Sequence, residues 1–285
     1  MTMTTRPAAA ADLIAVATIM YSAFKSVADR HNFPPDFDSP ETAHSVASLL
    51  LNHPKFYGVV AEDEGRILGS NFIDLRSPIV GLGPISVDPE MQNQGIGRQL
   101  MLAAMEEAER QRCAGIRLVQ LAYHNRSLCL YTTLGFRSRV PLSIMQGQPL
   151  NQRFAGYDVR LGATADADSC NALCRRIHGM ERRQEVEESI EQNSLQVVEH
   201  LGTITGYTNG VGFFTHTVAD SNHSLMAMIA AAPSFPGPGF FLPTTNFEVF
   251  NWCLQQGLRL VAQATYMTIG LFNEPDGAWL PGVLY

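Results

Sequence analysis

Gln92-Asn93-Gln94-Gly95-Ile96-Gly97-Arg98 lies between two stretches of opposite character. Ile79 to Val87 reads as a strand, and Gly95 to Arg112 reads as a long helix. A glycine-containing turn that opens a helix leaves the N–H groups of the first turn without intrahelical partners, at the positive end of the helix dipole. That arrangement suits a pyrophosphate. Gly95 and Gly97 have no Cβ, so the backbone can come close to a phosphate and adopt positive φ. No Gly-Lys-Ser or Gly-Lys-Thr follows, which excludes a P-loop, and the three-glycine dinucleotide pattern is absent. By itself a glycine pair ahead of a helix is also an ordinary turn.

The segments on either side narrow the reading. The loop comes directly after Ile85-Ser86-Val87-Asp88-Pro89. Downstream, Ile116 to Tyr123 reads as a buried strand, and His124 to Phe136 as a short helix that ends at Gly135. Gln-x-x-Gly-x-Gly after such a strand, followed by Leu130-Tyr131-Thr132-Thr133-Leu134-Gly135-Phe136, resembles the GCN5-related N-acetyltransferase (GNAT) superfamily. The resemblance implies acetyl-CoA as co-substrate and no metal. Its pyrophosphate would lie on the backbone of Gln92, Asn93, Gln94, Gly95, Ile96, Gly97 and Arg98, with the Arg98 charge either adding to the grip or merely solvated on the helix face. Ile85, Ser86 and Val87 would pair with the pantetheine amides as an added strand does. An N–H near Val87 would point at the thioester oxygen. The family's Asn, seven residues before the Tyr, falls here on His124, with Asn125 one residue later. Which of the two stands beside the pantetheine arm is open.

The reaction implied is attack of a neutral amine on the thioester within a ternary complex. Tyr131 is the candidate general acid, because a phenol with a pKa near 10 holds at neutral pH the proton that a departing thiolate needs. It is also a residue that packs well in a core. Many relatives carry a Glu on the strand before the loop as general base, and Ile79 to Val87 has none. Glu62, Asp74, Tyr123, His124, the C-terminal carboxylate of Tyr285 and a water chain remain. His124 has a suitable intrinsic pKa and is taken with Tyr131 as the catalytic pair, although its position also suits a helix cap.

The second half of the chain echoes the first. Arg6-Pro7-Ala8 through Phe24 resembles the stretch from Tyr157-Asp158-Val159-Arg160-Leu161 to His178. Val80 to Val87 aligns with Val211 to Val218, Leu100-Met101 with Leu225-Met226, and His124 to Phe136 with Asn246 to Leu258. Thirteen steps separate Val87 from Leu100 but seven separate Val218 from Leu225, so the second copy lacks the glycine loop. Asp220 there would repel a phosphate. A linker falls between Met145 and Gly156, rich in Gly, Pro and polar residues. The expectation is an α/β (α+β) protein of two tandem acyl-CoA N-acyltransferase-like domains, each a mixed, mostly antiparallel sheet flanked by helices. Residues 1–148 would form a catalytic domain that binds acetyl-CoA. Residues 156–285 would form a shortened, degenerate GNAT-like domain that walls the acceptor pocket, with Phe213, Phe214, Phe240, Phe241, Phe247 and Trp252 as candidate wall or core residues.

Composition bounds the function. With 285 residues, 46% hydrophobic and 16% charged, the chain can bury two sizeable cores. A net charge of −7 argues against nucleic acid as partner. It suits a cationic acceptor, a small-molecule or peptide amine, as well as plain solubility. The five cysteines form no Cys-x-x-Cys pair, and a reduced, cytoplasmic setting is expected. Leu13 to Ala23 reads as a buried amphipathic helix, and no membrane span is expected. The alternative to an N-acetyltransferase is a non-catalytic acyl-CoA-binding sensor or scaffold. Oligomeric state is not legible.

Overall fold

The computed structural model describes residues 3–283. Strand β1 (Thr4–Pro7) leads through a short 3-10 turn into helix α1 (Leu13–His31). Asn32, in the left-handed conformation at φ 57°, stops α1, and Pro34 and Pro35 cannot resume it. Helix α2 (Pro40–Asn52) begins where the Ser39 hydroxyl accepts the Thr42 N–H at 3.2 Å, with Pro40 at the first helical position. Strands β2 (Phe56–Asp63) and β3 (Arg66–Asp74) form a hairpin across Glu64 and Gly65, both at positive φ. The anticipated strand from Ile79 to Val87 is broken in two. Its parts are β4 (Ile79–Leu82) and β5 (Ser86–Val87), parted at Gly83 with φ 135° and at Pro84, which has no N–H to give. Helix α3 (Ile96–Arg110), strand β6 (Gly115–Leu121), helix α4 (Asn125–Thr133) and strand β7 (Arg137–Gln146) complete the first half.

The second half repeats this order. It comprises β8 (Tyr157–Leu161), α5 (Ala167–His178), α6 (Arg183–Glu191), β9 (Gln196–His200), β10 (Thr203–Thr208), β11 (Thr217–Ala219), α7 (Asn222–Ala231), β12 (Phe240–Pro243), α8 (Phe247–Gln255), β13 (Arg259–Gly270) and β14 (Ala278–Leu280). The repeat extends to side chains. Arg6 reaches Asp12 at 2.8 Å and Glu62 at 2.7 Å. Arg160 makes the same fork, to Asp166 at 2.8 Å and to Glu199. In each half the Asp also caps the turn, accepting from the N–H of Ala9 or Ala163 at 2.8 Å.

The sheets are not divided where the linker lies. One sheet runs β1-β2-β3-β4-β6-β13-β7-β12, and β5 adds to β3; the other runs β14-β11-β10-β9-β8. β13 is the repeat counterpart of β7, since each follows the short helix α8 or α4. Yet β13 lies against β6 of the first half, with Ala264 opposite Leu121 and Gly270 opposite Gly115. β7 in turn lies against β12. The two halves have exchanged their closing strands, and the β13–β7 pair joins them.

Below this seam the halves meet in a buried polar network. Arg76 binds Asp74 at 2.6 Å and Glu188 of the second half at 2.8 Å. Glu185 binds Arg182 at 2.8 Å and lies 3.5 Å from His216. The segment Ala10–His31 is, by length and composition, long and apolar enough to cross a bilayer, contrary to expectation. In the fold its Val16, Ile19 and Met20 pack against Ala43, Ala47 and Leu50 of α2 in one core cluster.

Candidate active site

β4 pairs with β6 in parallel over Ile79 to Gly81, and there the contact ends. Beyond it β5 stays with β3, so the sheet opens as a V between β5 and β6. The V leads into a cleft of about 540 Å³. Leu82 to Val87 form one wall and Leu118 to Leu121 the other. Asp88 donates its N–H to the Leu68 oxygen at 2.9 Å. By antiparallel alternation the N–H and C=O of Val87 therefore point away from β3, toward the open side. A linear amide ligand could hydrogen-bond there without displacing any protein strand.

The glycine loop closes one end. Asn93 at φ 69° and Gly95 at φ 84° are both left-handed, which turns successive N–H groups toward one side. Gly95 caps α3 and supplies no side chain to its first N–H groups. Asn93, Gly95, Gly97 and Arg98 line the cleft, as do Gln92 and Asn125. The Gln92 amide accepts from Arg126 at 3.3 Å and donates to the Val87 oxygen at 3.4 Å. Gln94 is the exception among the expected residues: it is exposed, does not line the cleft, and turns toward Met91 Sδ. Ile96 lines the cleft but is 3% exposed and belongs to the core.

Tyr131 lines the same cleft and is buried, with its ring 6.2 Å from that of Phe136. Burial pushes its phenol well above the ordinary range, so it stays protonated at neutral pH. His124 lines the cleft at the cap of α4. Burial, and then the positive charges of Arg126, His31 and Arg30, push its imidazole down to about 4. At neutral pH it is uncharged and a weak proton acceptor. Glu62 is taken up by Arg6, and Asp74 by Arg76; neither lines the cleft. Tyr123 lines it, with its phenol raised by burial and by the nearby charge of Asp36. Tyr285 lies outside the described residues.

Asp36 was not among the expected site residues. It sits between two prolines and Phe37 in the segment joining α1 to α2, is 7% exposed, and lines the cleft. The visible signal was a lone carboxylate in an otherwise apolar run, Phe33-Pro34-Pro35-Asp36-Phe37. Of the six aromatic residues that suited either a pocket wall or the core, none lines the cleft. Phe213, Phe240 and Phe241 are core residues, Phe247 is 75% exposed, and Trp252 packs on Phe154. Phe214 stacks on Phe37 at 6.1 Å, and from the second half it is Val283 that reaches the cleft.

The corresponding place in the second half is closed. Ser221 caps α7 by accepting the Ser224 N–H at 3.3 Å, and Ser224 binds Asp220 at 3.0 Å. The counterpart of the V, between β11 and β12, is filled by the chain itself. β14 pairs with β11, Thr217 opposite Leu280 and Ala219 opposite Ala278, and its apolar residues share a core with Phe240 and Leu242 of β12. Cys253, in the place of Tyr131, is fully buried.

Residues 54–138 match the family model of the acetyltransferase (GNAT) domain. Among solved structures, a candidate acetyltransferase from Pyrococcus horikoshii is 17% identical, with a TM-score of 0.76 over 99% of this chain and 94% of that one. A GCN5-related N-acetyltransferase from Sphaerobacter thermophilus is 12% identical, with a TM-score of 0.63 over 96% and 97%. A tandem GNAT protein from the clavulanic acid biosynthesis pathway is 13% identical, with a TM-score of 0.58 over 94% and 98%. No curated protein sequence matches the chain. Residues 54–138 thus carry the acetyltransferase (GNAT) domain pattern, and nearly the whole chain shares its fold with these three structures. One of the three is a tandem GNAT protein, and this chain likewise folds as two halves with a repeated order of elements.

Proposed function

We propose that the protein is an N-acetyltransferase that moves an acetyl group from acetyl-CoA to a primary amine by direct attack in a ternary complex. Residues 1–148 carry the co-substrate site, and residues 156–285 form a degenerate copy that supports the acceptor end. The observation that carries this reading is the contrast between the two halves. One helix tip, α3, has no side-chain cap and stands at the mouth of an open V with a buried tyrosine inside. The other, α7, is capped by Ser221, and its V is filled by β14.

The residues fit the parts of acetyl-CoA. The N–H groups at the α3 tip and the exposed Arg98 suit its pyrophosphate. The free edge of Ser86–Val87 suits the pantetheine amides. The Val87 N–H, aimed into the V, suits the thioester oxygen, where it would stabilise developing negative charge. Tyr131, kept protonated by burial, suits protonation of the leaving thiolate. His124 serves as a neutral cap beside the arm, with Asn125 lining the same stretch of cleft.

The test is calorimetry with acetyl-CoA on the full chain, together with thiol release against an amine panel. One site per chain and amine-dependent thiol release are expected. Two sites, or binding that survives disruption of the 92–98 loop, would overturn the reading.

A further inference from the structure

Six carboxylates are buried among the described residues: Asp12, Asp36, Asp74, Glu107, Asp166 and Glu185. Five of them hold an arginine at 2.6–2.8 Å. Asp36 is the exception: among the described residues no Lys, Arg or His forms an ion pair with it. A carboxylate taken out of water without a cation is costly to keep charged. The fold nevertheless holds it in place. Phe37, next in the chain, is buried edge-on against Phe24 at 5.3 Å and stacked on Phe214. Pro34 and Pro35 stiffen the other side. Apolar and aromatic residues line the same cleft: Ala23, Phe24 and Val27 of α1, Tyr123 from the β6–α4 turn, and Val283.

We propose that Asp36 receives the acceptor's ammonium group and takes its proton, and that the acceptor is a primary amine with a single positive charge on an apolar or aromatic body. The proposal rests on the transferase reading of the cleft. An ammonium entering this cleft meets a carboxylate that forms no ion pair among the described residues, in apolar and aromatic surroundings that suit the body of such an amine. The charged and titratable groups on the surrounding elements are Tyr123, His124 and Arg126, with Arg30 and His31 at the end of α1. Arg126 and Arg30 bring positive charge to the surroundings of the His124 imidazole, so a second cation on the acceptor is repelled. Burial raises the Asp36 carboxyl to about 7, which poises it to exchange a proton near neutrality. In the reaction the ammonium gives one proton to Asp36, and the freed nitrogen lone pair attacks the thioester carbon. The C–N bond forms and the C–S bond breaks. The thiolate takes the Tyr131 proton, Tyr131 recovers one from the nitrogen, and Asp36 releases its own to solvent. One proton leaves per turnover.

The test uses the full chain loaded with CoA, with 2-phenylethylamine and spermidine as probes. Wild-type protein is expected to bind 2-phenylethylamine more tightly than spermidine. Asp36→Asn should weaken the first about tenfold or more and leave CoA affinity unchanged. With acetyl-CoA, kcat/KM for 2-phenylethylamine should rise with pH to a plateau above about 7, and Asp36→Asn should lose that inflection. Carbon-13 titration of the Asp36 carboxyl in wild-type protein gives a readout independent of any variant, and the amine should move it. Equal amine binding by wild type and Asp36→Asn, tighter binding of spermidine, or no binding of either amine would overturn the assignment while the CoA reading stands. Failure of wild type to bind CoA would remove both.

Discussion

Phe33 lies flat on Tyr123, with ring centroids 4.3 Å apart and planes 10° from parallel. The contact ties the proline-rich segment that carries Asp36 to the turn between β6 and α4, so two distant parts of the chain make one wall of the cleft. Phe33→Ala removes the stack, worth about 1 kcal/mol beyond the area it buries, and loosens that wall. The expected result is a KM for the amine raised about tenfold with CoA affinity unchanged, measured by varying each substrate in turn. A change in CoA affinity alone would place Phe33 on the wrong side of the site.

A Cβ at Gly97 would meet nothing nearer than Leu130 at 3.7 Å and Val87 at 3.8 Å. The fold itself therefore tolerates Gly97→Ala. A phosphate at the α3 tip would not, because the methyl group occupies the space of close approach. The variant should keep its Tm and lose CoA affinity by about tenfold or more. Unchanged affinity would argue that the diphosphate lies elsewhere.

Tyr131→Phe keeps a buried ring and removes one hydroxyl. If that hydroxyl protonates the leaving thiolate, kcat should fall about a hundredfold while the Kd for CoA holds. Turnover indistinguishable from wild type would return Tyr131 to a packing role. An ordered thiolate protonated directly by solvent would then be the simpler chemistry.

Stability should depend on pH in two opposed ways. Asp36 is raised to about 7 from 3.8, so the folded state binds more protons than the unfolded one between those values. Stability from this group falls as pH rises from about 4 through 7. His216 is lowered to about 3 from 6.5, by burial first and then by Arg182. Its neutral form favours folding above 6.5, and that contribution is lost as pH falls from 6.5 toward 3. The windows overlap and partly cancel in wild-type protein. Asp36→Asn should remove one of them, raising stability at pH 8 by roughly 2–4 kcal/mol with little effect at pH 4. Denaturant unfolding across this range reads it. Equal wild-type and variant curves at pH 8 would mean that Asp36 is not held buried.

Cutting the chain at the linker should not yield a working first half. Residues 1–150 would leave the β6 edge open where β13 pairs with it, and would expose the partners of Met267, which is fully buried. An unpaired central edge over an exposed core is an aggregation site. The fragment is expected to be insoluble or unfolded by circular dichroism. A folded, CoA-binding fragment would show that the strand exchange is dispensable.

What was legible in the sequence was local. The 92–98 loop, the order of strands and helices, the repeat and the short helix with Tyr131 were all readable because turn chemistry, caps and periodicity act within a few residues of the chain. The degenerate loop at 219–224 was legible for the same reason, since a missing glycine is a missing backbone conformation. Gln94 illustrates the limit even there: the motif includes it, but the turn points its side chain outward. Three features depended on contacts between distant segments and came only with the tertiary structure. Nothing in the residues of β7 or β13 says which neighbour each strand pairs with, so their exchange between halves was invisible. β14 reads as an apolar tail, and only its register against β11 makes it the filler of the second V. Asp36 reads as one acid in a proline-rich connection. Its role follows from burial beside Tyr123 with no arginine brought to meet it, and burial is a property of the assembled fold rather than of any stretch of chain.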